Sequence, residues 1–132
     1  MLIGLFLVGT LASAGAQGMV GFSKEEVREM MQAEHPEFRR DASIVRQQFN
    51  YLKFVNSRKT RTWIIYFDDK DVSKSAKLVC DYAEWDDVVN ELEAMYGKGK
   101  DAMQWTYSRG RSSFQVEITK QEWYFTVRES RL

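Results

Sequence analysis

Residues 114–128, FQVEITKQEWYFTVR, alternate apolar and polar side chains on either side of Lys120 and Gln121. Phe114-Gln-Val-Glu-Ile-Thr119 and Trp123-Tyr-Phe-Thr-Val-Arg128 therefore read as two strands joined by a tight connection, an antiparallel hairpin with one face buried. Period-two alternation puts Trp123, Phe125, Val127, Phe114, Val116 and Ile118 inward, and Tyr124, Thr126, Arg128, Gln115, Glu117 and Thr119 outward. Upstream, Met103, Trp105 and Tyr107 mark a third strand before the Arg109-Gly110-Arg111 turn. Residues 49–56, 61–67 and 76–82 are rich in aromatic and β-branched side chains and are broken by polar runs at 57–60 and 68–75, which predicts three more strands.

Two segments carry helical spacing instead. Ser23 can cap a helix that starts at Lys24, with Glu26 reaching back to the cap amide and Phe22 and Val27 placed to close a hydrophobic staple. Val27, Met30 and Met31 form its apolar stripe, and Pro36 ends it near Glu34. Trp85, Val88, Val89, Leu92, Met95 and Tyr96 form the stripe of a second helix. Acidic Glu84, Asp86 and Asp87 open that helix, Ala83 stands at its expected cap, and Gly97 follows its end. The order is helix, three strands, helix, three strands. It predicts an α+β fold of duplicated αβββ units, about 22–82 and 83–132, whose helical starts read KEEVREMM and WDDVVNEL. Two helices then pack on one face of a mainly antiparallel six-stranded sheet.

The chain has 132 residues, with 19 basic and 19 acidic side chains and no net charge. No global field draws it to nucleic acid or to anionic lipid. Charge is uneven: residues 39–61 carry Arg39, Arg40, Arg46, Lys53, Arg58, Lys59 and Arg61 against Asp41 alone, while residues 62–101 are acidic. Such blocks form solvated faces that pair in the fold, or a basic strip that meets a ligand.

Residues 1–16, MLIGLFLVGTLASAGA, hold no charged side chain. The apolar run is shorter than the roughly 20 residues of a membrane-spanning helix, and Ala12-Ser13-Ala14 or Ala14-Gly15-Ala16 fits small-x-small cleavage. We expect a signal peptide over 1–16 and one exported domain over 17–132, periplasmic or extracellular, with no membrane span after cleavage. Gln17 to Phe22 then reads as a short leader before the first helix. Partners are expected among envelope proteins and glycans rather than nucleic acid, and self-association through an open sheet face or an edge strand is a further expectation. Cys80 is the only cysteine, so no disulfide can form within the chain, and the 17 aromatic residues that follow residue 16 must supply the core.

The runs Tyr51-Leu-Lys-Phe-Val55, Phe67-Asp-Asp-Lys-Asp71, Leu78-Val-Cys-Asp-Tyr82 and Glu122-Trp-Tyr-Phe-Thr126 resemble a group of short exported proteins of unknown function from gut-dwelling Gram-negative bacteria. The resemblance covers nearly all of residues 17–132 and implies neither an activity nor site residues.

Catalytic and metal chemistry finds little support. One histidine, His35, and one cysteine, Cys80, cannot build a His/Cys zinc site. His35 sits where it can complement a helix end, and Cys80 alternates with Leu78 and Tyr82 like a buried small hydrophobe. Asp68, Asp69 and Asp71 bunch between two strands but lack the spacing, glycine and distal glutamate of a calcium loop. No cofactor, metal or catalytic residue is implied. A hydrolase or isomerase would have to combine His35 with Asp68, Asp69, Asp71 or Glu117, which requires hydrogen-bond reach. A non-enzymatic binding or interaction domain is the favoured expectation, using Tyr51, Lys53, Tyr66, Lys77, Tyr124 and Arg128 on the sheet face turned away from the helices. Tyrosines beside cations offer rigid, amphipathic contact area, or they simply stabilise cross-strand neighbours on a wet face.

Overall fold

A computed structural model describes residues 18–42, 49–98 and 103–132; the expected signal peptide falls outside them. The elements run α1 (Lys24–Glu34), β1 (Phe38–Arg40), β2 (Tyr51–Asn56), β3 (Arg61–Phe67), β4 (Ser73–Asp81), a 3-10 turn (Tyr82–Glu84), α2 (Trp85–Tyr96), β5 (Gln104–Arg109), β6 (Ser112–Lys120) and β7 (Tyr124–Arg131). All the strands join one antiparallel sheet of seven in the order β1-β2-β3-β4-β7-β6-β5.

The expected six-stranded sheet of duplicated units is therefore wrong. β1 is the added strand: Pro36 stops α1, Phe38 drops into the core, and Arg39 and Arg40 pair with Val55 and Phe54 of β2. Four strands follow the first helix and three the second, so the halves do not repeat. The α+β class stands, with both helices contributing to the single core on one side of the sheet.

Local chemistry accounts for the helices. Ser23 Oγ accepts from the Glu26 amide at 3.1 Å and Glu26 Oε1 accepts from the Ser23 amide at 2.9 Å, the reciprocal capping box. Val27 and Met31 are buried, worth about 2 kcal/mol each. Ala83 is not the cap of the second helix. Asp81 accepts from the Ala83 amide at 3.1 Å and opens the 3-10 turn that leads into α2, which ends where the Gly97 amide donates to the Glu93 carbonyl.

Alternation is obeyed along the strands except at a bulge where β3 meets β4, with the register shifting between Tyr66 and Phe67 and both Ser73 and Ala76 buried. Leu52, Phe54, Ile65, Phe67, Leu78, Cys80, Phe114, Val116, Ile118, Phe125 and Val127 are all buried on the helix side. Trp123, expected inward, is 80 % exposed. It precedes β7 in a connection closed by the Gln121 amide on the Tyr124 carbonyl, so it escapes the pleat. Residues 18–22 are no leader either. Met19 and Val20 are core residues, the Gly21 amide donates to the Ser73 carbonyl at 2.8 Å, and the Ser73 amide donates back to the Phe22 carbonyl at 2.7 Å.

Candidate functional site

A cavity of about 460 Å³ opens between α2 and the sheet, closed at its sides by Gly18 and Met19 and by His35, Glu37 and Phe38 just past the end of α1. Its buried floor comes from Leu78, Val116 and Val127 on the sheet, and from Val88 and Leu92 on α2. Glu37, Glu91 and Ala94 also line it and are exposed, so they mark its mouth. Trp63 faces inward on the central strand β3 yet is only half-buried, because it borders this space rather than packing under a helix. A partly open, apolar-walled space of this size with few polar groups has the form of a small-molecule site.

The polar group at the inner end is Glu129, 4 % exposed and next inward after Val127 on β7. Its Oε1 accepts from the Met19 amide at 2.7 Å, and its Oε2 accepts from the Tyr107 hydroxyl. Burial pushes the Glu129 pKa above the ordinary carboxylate value, while those two hydrogen bonds, the charge of Arg109 and a further backbone bond from Val20 pull it back. Tyr96, Tyr107 and Phe114 stack in series beside it, with ring centroids 5.0 and 4.9 Å apart. Desolvation raises the pKa of both tyrosines, so they remain neutral donors. Gly18 lies directly against this carboxylate: a β-carbon there would overlap both Glu129 and the Tyr107 hydroxyl.

Near the mouth, Arg61 organises the second charged group. Its guanidinium makes two 2.9 Å bonds to Glu91 and a 2.7 Å bond to buried Glu84. The bond to Glu91 is the largest influence raising the Arg61 pKa, and the Arg61 bond is the largest influence lowering that of Glu84. Arg61 is thus already committed to carboxylates.

The outer sheet face holds every residue expected there. Register places Lys53, Ile64, Lys77, Arg128, Glu117 and Gln104 in one row across the sheet. Tyr51, Tyr66, Ser75 and Ser130 form the row beside it, and the rings of Tyr51 and Tyr66 are 6.3 Å apart. Tyr124 pairs with Asp81 at the far end of β4 and is 43 % exposed. Neither helix covers this face, although Lys53 is held by Asp41 at 3.4 Å.

The residues of the acid/base alternative are not brought together. The Lys24 amide at the start of α1 donates to the Asp71 carbonyl, whereas His35 caps the other end of that 11-residue helix, about 16 Å away by helical rise. Glu117 lies on the opposite side of the sheet from His35. Asp68 accepts from the Val72 and Lys70 amides, which lowers its pKa, and Asp71 accepts from the Asn50 side chain at 2.6 Å, which lowers its own. These carboxylates shape the β3–β4 turn. Among the described residues no group of three or more His, Cys, Asp or Glu is placed to hold a metal ion, and no helix is long and apolar enough to cross a membrane. Cys80 is buried, and desolvation pushes its thiol up to about 12.

Neither the cavity nor Glu129 was expected from the sequence. Extending the alternation of Phe125 and Val127 by two positions would have placed Glu129 inward, the mark of a buried carboxylate. Comparison with protein-family models, curated proteins and solved structures finds no match.

Proposed function

We propose that the chain is an exported, non-enzymatic binding domain whose ligand occupies the cavity between α2 and the sheet. The observation that carries this reading is the partly open 460 Å³ space with an apolar floor and a single buried carboxylate at its inner end. Export is supported by the composition of residues 1–16, and a binding role by the apolar floor and by the separation of His35 from Asp68, Asp71 and Glu117, although His35 itself lines the cavity with Glu37, Glu91 and Glu129. The test uses an environment-sensitive apolar dye. Its emission should rise on the wild-type protein and not on Leu92→Trp, which fills the floor; equal enhancement by both proteins would sink the cavity as the site.

A second reading keeps the outer face as a surface for an envelope protein or a glycan. The cationic row of Lys53, Lys77 and Arg128 beside Tyr51 and Tyr66 favours it, with Tyr124 and exposed Trp123 near one end. Recovery of partners from an envelope fraction by wild type and by a Tyr66, Tyr124 and Arg128 triple alanine variant decides it, since equal recovery removes that face. A homo-oligomer formed through the same face would appear as a larger species in sedimentation of the wild type alone.

A further inference from the structure

We infer that the cavity selects an apolar amine, its ammonium seated against Glu129 and its hydrocarbon or aromatic body lying along Trp63 and the apolar floor. The inference rests on the cavity being the ligand site and adds the chemical class of the ligand.

Three observations point to a cation. Glu129 is buried at the inner end, and its hydrogen bonds, from the Met19 amide, the Tyr107 hydroxyl and the Val20 backbone, come from neutral donors. A carboxylate has about four lone-pair positions, so roughly one remains for a ligand. The nearest cation with a defined role, Arg109, spends its guanidinium on the Val20 carbonyl and on the faces of Phe22 and Phe114 at 4.5 and 4.6 Å. Arg109 favours the ionised Glu129 through space, but no side-chain cation makes an ion pair with it among those of the described residues, so a ligand ammonium would supply the direct charge partner of a buried carboxylate.

The lining has the matching sign. Glu37, Glu91 and Glu129 border the cavity, and its only guanidinium, Arg61, is bound to Glu84 and Glu91. A fatty acid or other anion would meet carboxylates at both ends, and the basic side chains of the lining are Arg61, already bound to carboxylates, and His35 at the end of α1. The aromatic residues Tyr96 and Trp63 border the same space, and aromatic rings attract an ammonium and its flanking methylenes. Apolar walls exclude small polar polyamines, which would leave charges without partners against Leu78, Val116 and Val127.

The experiment compares head groups on one body: octylamine, octanol and octanoate, followed by calorimetry and by Trp fluorescence on the wild-type protein, Glu129→Gln and Leu92→Trp. Octylamine should bind the wild type at least about tenfold more tightly than octanol, with octanoate weakest. Glu129→Gln keeps the shape and an acceptor for the Met19 amide, and should erase the preference for the amine while leaving octanol binding in place. Octanol bound as tightly as octylamine, and lost in Leu92→Trp, overturns the amine inference while leaving the cavity as a site. Failure of all three probes on the folded wild type overturns both. The head-group series on the wild type decides the matter even if the glutamine variant does not fold.

Discussion

Replacing Gly18 by Ala perturbs the contact between the N-terminal strap and the cavity end. Gly18 sits at φ +123, where an L side chain is strained by about 1–2 kcal/mol. Its new methyl would also collide with Glu129 and Tyr107, which must move and give up the bonds that satisfy a buried carboxylate, a further 1.5–3 kcal/mol or so. The expected loss is about 3–5 kcal/mol, which at a urea slope of about 2 kcal/mol per molar is a midpoint shift near 2 M. Gly110→Ala is the control. Gly110 also has positive φ, +62, but nothing lies within 4 Å of a β-carbon there, so only the backbone part, about 1 kcal/mol, applies. If Gly18→Ala and Gly110→Ala shift the urea midpoint equally, the close packing of the strap on Glu129 is refuted.

Three further outcomes follow from the charged and buried groups. Arg61→Ala leaves buried Glu84 with the Thr60 side chain and the exposed Arg58, at 3.2 Å, as its remaining partners, and should destabilise by about 3 kcal/mol in urea unfolding; a loss below about 1 kcal/mol would mean that Glu84 is effectively hydrated. Glu129 has a raised pKa in the fold, so the native state binds its proton more tightly than the unfolded chain does. Its contribution to stability is therefore greatest at low pH and falls as pH rises from its ordinary value of 4.5 toward the raised one. The stability difference between wild type and Glu129→Gln should shift against the wild type across that window, and a pH-independent difference would contradict it. Cys80, with a thiol near pKa 12 and no exposure, should react with a thiol reagent at neutral pH only after denaturant is added; prompt labelling of the native protein would show the core open there.

Much of the fold was legible because its signals are local. The Ser23–Glu26 capping box needs only four neighbouring residues, and the stripe from Trp85 to Tyr96 repeats long enough to fix a helix. The strand faces were equally readable, since alternation is a property of the chain itself. What failed depended on distance. β1 is three residues long, too short for a period, and exists because β2 offers an edge to pair with. Trp123 carries the right phase but falls in a turn, where phase means nothing. Met19 and Val20 look like a linker until Ser73 and Glu129, more than fifty residues away, supply their hydrogen bonds. The cavity is least readable, because its walls come from the strap at Gly18 and Met19, the connection at His35–Phe38, α2 and four strands, brought together only by the fold.

Its occupancy is the central claim, and amide and methyl chemical-shift mapping during an octylamine titration tests it most directly. The account predicts shifts concentrated at Trp63, Leu78, Val116, Val127 and Glu129, with the outward residues Lys53, Lys77 and Arg128 unmoved. Shifts confined to that outer row, or spread evenly over the surface, would contradict it.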